Sequence, residues 1–306
     1  MPALNLSGVF APVLTPVDAD LNIDLKLYVE FCRWLLDTGC HGLVLFGTNS
    51  EATSFSVAER KAALDAVLGA GIPAEKLVVG NGTPAISDGV ELARHALAAG
   101  CHKVMTLPPF YYPKMSDEGL FRSFAYIIDR VGDPALQMYF YHIPQVSGVG
   151  LSADLLDRLA TEFPGAAAGV KDSTGDAGNL ARFHQIAAAH PGFSVFCGTE
   201  SLLLANLRGG GAGCISGMAN VIPDQIRALY ESWQAVGADD HQVRLNWLRN
   251  AALGTGFNVI AAAKSLTADR TGAAGWTRVR PPLVDLTPAQ QETLRTAVRA
   301  AEPVLA

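Results

Sequence analysis

Eight times along this chain a short apolar run gives way to a segment whose apolar residues recur every three to four positions, an alternation that few folds can accommodate. The runs are Gly8–Val13, Leu43–Phe46, Leu77–Val79, Val104–Leu107, Leu136–Phe140, Ala167–Val170, Ser194–Cys197 and Gly213–Ser216. Uniformly apolar strands suit a parallel sheet covered on both faces, where each strand is buried from two sides. The intervening segments predict helices, among them Val57–Leu68, Ala85–Ala98, Asp117–Arg130, Ala153–Thr161 and Ala177–Ala188. Ser56, with Glu59 three residues on, predicts a capping box at the first of these. An open doubly wound sheet normally stops at five or six strands, so eight units predict closure into a (β/α)8 or TIM barrel of the α/β class.

From Pro223 onward the strand pattern vanishes. Helical spacing marks Gln225–Ala235, Asp240–Leu253 and Asn258–Leu266, then a Gly/Pro-bearing connection leads to a last helix near Ala289–Ala301. The expected organisation is a barrel with the active site over residues 1–222 and a C-terminal helical domain over 223–306. Twenty-three basic against 29 acidic residues, with no block of like charge, argue against a nucleic-acid partner. The N-terminus lacks a basic region followed by an apolar core, and no uncharged apolar stretch is long enough to span a bilayer. Five scattered cysteines without a CxxC read as core residues in a reducing compartment, so a cytoplasmic location is expected. No HxH or HExxH spacing occurs, and no catalytic metal is expected.

In such a barrel, function is built on the segments that follow each strand. Of seven lysines only Lys171 follows an apolar run at its C-terminal end. Its position leaves two readings open: a solvated loop lysine, or a partly desolvated amine able to attack a carbonyl and form an imine. Gly47-Thr48-Asn49 opens a loop before a helix, where backbone N–H groups can hold a carboxylate and the Thr48 hydroxyl can relay a proton. The same residues also suit a plain polar turn. Tyr141 closes the fifth strand, either reaching toward Lys171 on the next strand or simply filling the barrel mouth. Tyr111 and Tyr112 lie in a Pro-bounded loop and suggest an interface. The glycine-rich stretch 209–213 resembles a phosphate cradle but precedes its strand, so a tight turn is expected there. His142, Glu51, Asp172 and Glu200 are single residues on separate loops.

Together GTNSE (47–51), PPFYYP (108–113), YHIP (141–144), GVKDS (169–173) and the glycines 198 and 217 follow one family's order and spacing. The chain resembles the dihydrodipicolinate synthase / N-acetylneuraminate lyase superfamily of class I, Schiff-base-forming lyases and aldolases, from about Leu6 to the last helix. The resemblance implies a (β/α)8 barrel with a C-terminal helical domain, a homotetramer built as a dimer of dimers, no cofactor, and pyruvate or another 2-oxo acid as substrate. It implies that Lys171 forms the imine and that Tyr141 transfers protons. Thr48 would link Tyr141 to a tyrosine from the neighbouring subunit, Tyr111, with Tyr112 as the alternative. Backbone groups of Thr48 and Asn49 would hold the substrate carboxylate, Gly198 and Ile215 would line the imine pocket, and Ser173 would complete it.

The departures bear on the substrate. Val146 stands where the synthases carry the arginine that binds an aldehyde's carboxylate, His142 replaces an asparagine and Ser50 a glycine. Glu200 matches an acidic position of the sialic-acid lyases, but its neighbours differ. The implied activity is aldol cleavage or condensation, or dehydration, of a 2-keto-3-deoxy-type acid. The alternative is 4-hydroxy-tetrahydrodipicolinate synthase, with another residue in place of the arginine; a protonated His142 would be a poorer match than a guanidinium fork. A non-catalytic 2-oxo-acid-binding barrel is a third reading, but carboxylate binding alone needs neither Lys171, Tyr141 nor Thr48.

Overall fold

The computed structural model describes residues 6–301. Eight parallel strands close a barrel in chain order: β1 (Gly8–Pro12), β2 (Gly42–Leu45), β3 (Leu77–Gly80), β4 (Lys103–Thr106), β5 (Gln137–His142), β6 (Ala167–Asp172), β7 (Ser194–Cys197) and β8 (Gly213–Ile215), which pairs back to β1. Outside them run α1 (Leu25–Thr38), α2 (Val57–Gly69), α3 (Ile86–Ala98), α4 (Asp117–Val131), α5 (Pro144–Ser147), α6 (Ala153–Glu162), α7 (Ala177–Ala189) and α8 (Leu203–Arg208). The C-terminal helices are α9 (Pro223–Ser232), α10 (Ala238–Leu253), α11 (Val259–Thr271) and α12 (Pro288–Ala301). Among the described residues no helix is long and apolar enough to cross a membrane, and all five cysteines are free and buried.

Period-two alternation divides the apolar residues into two cores. Phe10, Val44, Val78, Met105, Tyr139 and Phe196 point inward and fill the barrel. Their outward neighbours, such as Val9, Leu43 and Phe140, pack under the helices. The capping box forms at α2: Glu59 N–H donates to Ser56 Oγ at 3.2 Å, and Ser56 N–H donates to Glu59 Oε2 at 2.8 Å. Residues 144–147 make the single turn α5, with Pro144 at a position where a missing N–H costs nothing. The strands β5 and β6 also run past their apolar cores, pairing Tyr141 with Lys171 and His142 with Asp172.

A slip of one residue separates the pairs Met138–Ala167 and Tyr139–Gly169, leaving Ala168 as an extra residue on β6. Such a bulge shifts the phase of everything beyond it. Ala168 faces the barrel interior, and strict alternation from there would turn Lys171 outward. With the slip, Lys171 pairs with inward-facing Tyr141 and points inside as well. Gly169 permits the close pairing, since a Cβ there would sit 2.3 Å from the Ser194 carbonyl oxygen.

The C-terminal helices also fasten the loop after β2. Lys264 of α11 and Glu51 of that loop are each 1% exposed, with Nζ 2.5 Å from Oε1, a contact of charge and not of hydrogen-bond geometry. Lys264 Nζ also donates to the Arg278 carbonyl at 2.7 Å. Arg280 N–H donates to Glu51 Oε2 at 2.7 Å, while its guanidinium donates to the carbonyls of Ser54 and Leu21 and to Glu59. Residues from the two ends of the chain thus share one buried polar network.

Candidate active site

At the C-terminal mouth of the barrel, β6 carries Lys171, 4% exposed, with Nζ 4.0 Å from the centroid of the Tyr141 ring. The Tyr141 hydroxyl accepts long hydrogen bonds from Thr48 Oγ1 at 3.4 Å and Ser173 Oγ at 3.5 Å. Burial pushes the phenol's pKa up, but the Lys171 charge and the hydrogen bonds from Ser173 and Thr48 outweigh it and hold the pKa below its ordinary value. The phenol therefore gives up its proton more readily than a free tyrosine does. Lys171, Tyr141, Thr48 and Ser173, on three separate segments of sequence, form one cluster.

The surrounding residues set its walls. Gly198 lets β7 approach Ser173, because a Cβ there would overlap Ser173 Oγ at 1.9 Å. Gly217 does the same for Asn49, whose Nδ2 lies 2.4 Å from where a Cβ would be. Ile215 is fully buried in the barrel interior below. Ser50 ties the loop to the first strand segment: its hydroxyl donates to the Val13 carbonyl, and its own carbonyl accepts from Thr15 Oγ1 at 2.9 Å.

The remaining candidates lie elsewhere. Tyr111 is 85% exposed and has a left-handed φ of 84°. Its ring meets Tyr112 edge-on at 5.8 Å, and within one chain it is not a partner of the Tyr141 hydroxyl. Val146, 63% exposed, stands at the mouth. His142 does not face the site. Adjacent strand residues point to opposite sides, and with Tyr141 inward, His142 lies edge-on to Phe183 beneath α7. Its Nδ1 accepts the Leu151 N–H at 2.8 Å. Burial lowers its pKa, and Asp172 counters this only in part. His142 is therefore not placed to stand in for the missing arginine.

Glu200 is buried with Ser216 donating to it and Arg249 Nε 3.3 Å away, so it faces the C-terminal helices with its charge matched. Burial, the largest effect, raises its pKa despite these partners. Asp172 caps the turn at Thr174 and accepts from Asn179 Nδ2 at 3.1 Å. The 209–213 stretch is a tight turn, as expected, packed against Asn206 and His184. A cavity of about 280 Å³ adjoins Thr48 between Leu107, Phe110, Ile143 and Val146. Its far wall is Ile260, Pro282 and Leu283, which sequence reasoning placed in an appended helix and a connection.

The sequence matches the model of the dihydrodipicolinate synthetase family over residues 5–301. An uncharacterized DapA-like lyase of Chloroflexus aurantiacus is 30% identical over 294 residues, 95% of each chain. A probable mitochondrial 4-hydroxy-2-oxoglutarate aldolase of Emericella nidulans is 31% identical over 84% of each. The crystal structure of a dihydrodipicolinate synthase from Agrobacterium tumefaciens superimposes with a TM-score of 0.88 at 33% identity, covering 97% of this chain and 99% of that one.

Proposed function

Because the chain belongs to the dihydrodipicolinate synthetase family, we propose that it is a Schiff-base lyase that cleaves, forms or dehydrates a 2-keto-3-deoxy-type acid through an imine on Lys171. The observation that carries this reading is the buried Lys171 amine set against Tyr141, whose hydroxyl meets Thr48 and Ser173. The Lys171 amine adds to C2 of the 2-oxo acid and water leaves, giving an imine. In the cleavage direction Tyr141 takes the C4 hydroxyl proton as the C3–C4 bond breaks, and the electron pair moves into the imine to give an enamine. Protonation at C3 and hydrolysis release pyruvate and regenerate the amine. Backbone N–H groups of Thr48 and Asn49 hold the carboxylate, with Ser173, Gly198 and Ile215 around the reacting carbons.

Residues 1–222 and 223–306 act on this reading as a barrel and an appended helical domain, in a cytoplasmic homotetramer. Tyr111, exposed in one chain, extends the Thr48–Tyr141 relay of a neighbouring subunit, with Tyr112 as the alternative donor. Val146 offers no donor to a second carboxylate, and His142 faces away from the site. Condensation of pyruvate with aspartate semialdehyde is therefore expected to be weak. A charged group left without its partner costs about 3 kcal/mol or more, of the order of a hundredfold in rate. A rate like that of ordinary synthases would favour 4-hydroxy-tetrahydrodipicolinate synthase instead.

Borohydride reduction in the presence of pyruvate tests the central claim. It should add one reduced pyruvyl group to each chain, on Lys171, and abolish turnover. Label on Lys103 or Lys264 overturns the assignment. Lys171→Arg should fold normally and lose turnover, because a guanidinium stays protonated and forms no imine.

A further inference from the structure

Resting on the imine reading, and narrowing the 2-keto-3-deoxy-type acid to one with an apolar tail beyond C4 in place of a sugar chain, we infer that the second half of the substrate, the carbonyl compound joined to or released from pyruvate, is uncharged and apolar, such as an aliphatic or aromatic aldehyde. The cavity that shares Thr48 with the Tyr141 cluster is the space we assign to that half. Its walls are mainly Leu107, Phe110, Ile143, Val146, Ile260 and Leu283. None of the described side chains lining it is a lysine or arginine.

The polar groups on its walls already have partners. Glu51, its one carboxylate, is paired with Lys264 and accepts the Arg280 N–H. Ser147 Oγ donates to the Ile143 carbonyl at 3.0 Å and lies 2.9 Å from the Val149 carbonyl. Thr48 Oγ1 donates to Tyr141. Within one chain Thr53 and Ser54 add the remaining hydroxyls, and the neighbour's Tyr111 hydroxyl that the proposed relay brings to Thr48 is engaged there. A carboxylate or phosphate entering here would lose water and gain no cation, and a polyhydroxylated chain would find few free donors. An apolar group loses nothing comparable and gains burial.

The preference should be large. Adding or removing a single methylene in a hydrophobic pocket changes kcat/KM by roughly 10–200-fold, and an unmatched charge weighs at least as much. The test is condensation of pyruvate with four aldehydes, comparing kcat/KM for pentanal and benzaldehyde with that for succinate semialdehyde and D-glyceraldehyde. The two apolar aldehydes should exceed the others by about tenfold or more. Leu283→Lys, on the far wall, should narrow or reverse the gap for succinate semialdehyde, while Leu283→Met should leave it in place.

Pyruvate trapping on Lys171 is measured alongside. Successful trapping with equal or inverted preference, or with no turnover of either apolar aldehyde, overturns this inference alone. Absence of trapping overturns the imine reading and this inference with it.

Discussion

Replacing Lys264 by methionine isolates the contact that joins the active-site loop to the C-terminal helices. Lys264→Met preserves most of the buried volume but removes the cation 2.5 Å from Glu51 Oε1. Glu51 keeps the Arg280 amide at its other oxygen and is otherwise an uncompensated charge in the interior. Breaking a buried pair from one side costs about 3–5 kcal/mol, and the surviving amide bond puts the expected loss near the lower end. With a urea m-value of roughly 3 kcal/mol/M, the unfolding midpoint should fall by about 1 M at fixed protein concentration, with m unchanged. The double variant Glu51→Gln/Lys264→Met removes both charges, and the new amide oxygen still accepts from Arg280. It should recover most of the loss, short of about 1–2 kcal/mol for the Arg278 carbonyl that Lys264 also served, and a double-mutant cycle reads the coupling directly. A single variant as stable as the parent, or a double variant no better than the single, would refute the account of this pair.

Three further outcomes follow from the geometry. Tyr111→Phe should lower turnover by about a hundredfold or more, the usual range for a proton-transfer group, while leaving borohydride trapping intact; full activity in a demonstrated monomer would contradict the shared relay. Glu59 is held at about 2 instead of 4.5, chiefly by its hydrogen bond from Arg280. Its contribution to stability is thus full above 4.5 and lost as pH falls toward 2, and Glu59→Gln should flatten the stability profile in that window. Gly169→Ala would place a Cβ 2.3 Å from the Ser194 carbonyl and 3.0 Å from the Tyr139 ring. Denaturation should show a loss of about 1–3 kcal/mol, with turnover falling further because Lys171 lies two residues on.

The barrel was readable because strands buried on both faces are apolar almost throughout, although β5 and β6 run two residues past their apolar runs. Lys171 was readable for the same reason, as an amine standing at the end of such a run. The direction it points was not. Ala167, Ala168 and Gly169 are small enough to face either side, so the run carries no phase and gives no sign of the slip at Ala168. That His142 faces out was legible too, since a residue next to inward-facing Tyr141 on a strand must point the other way. Lys264 looked ordinary because it sits in a helix buried continuously from Ile260 to Thr267, where no polar face marks a contact. Its partner loop lies far away in sequence, with Arg280 and Glu51 229 residues apart, and no local pattern reports a pairing of that range.

That separation has a consequence for how the molecule is made. During synthesis at roughly 5–20 residues per second, the chain between Glu51 and Arg280 takes about 10–45 s to emerge. Throughout that interval the strands β1 to β8 can find one another, while Glu51 has neither its cation nor its amide donor. The loop bearing Thr48 is braced only when Lys264 and Arg280 arrive and dock. A product released early would retain Lys171 but lack the brace and the far wall of the cavity. The lysine is thus present well before the pocket around it is complete.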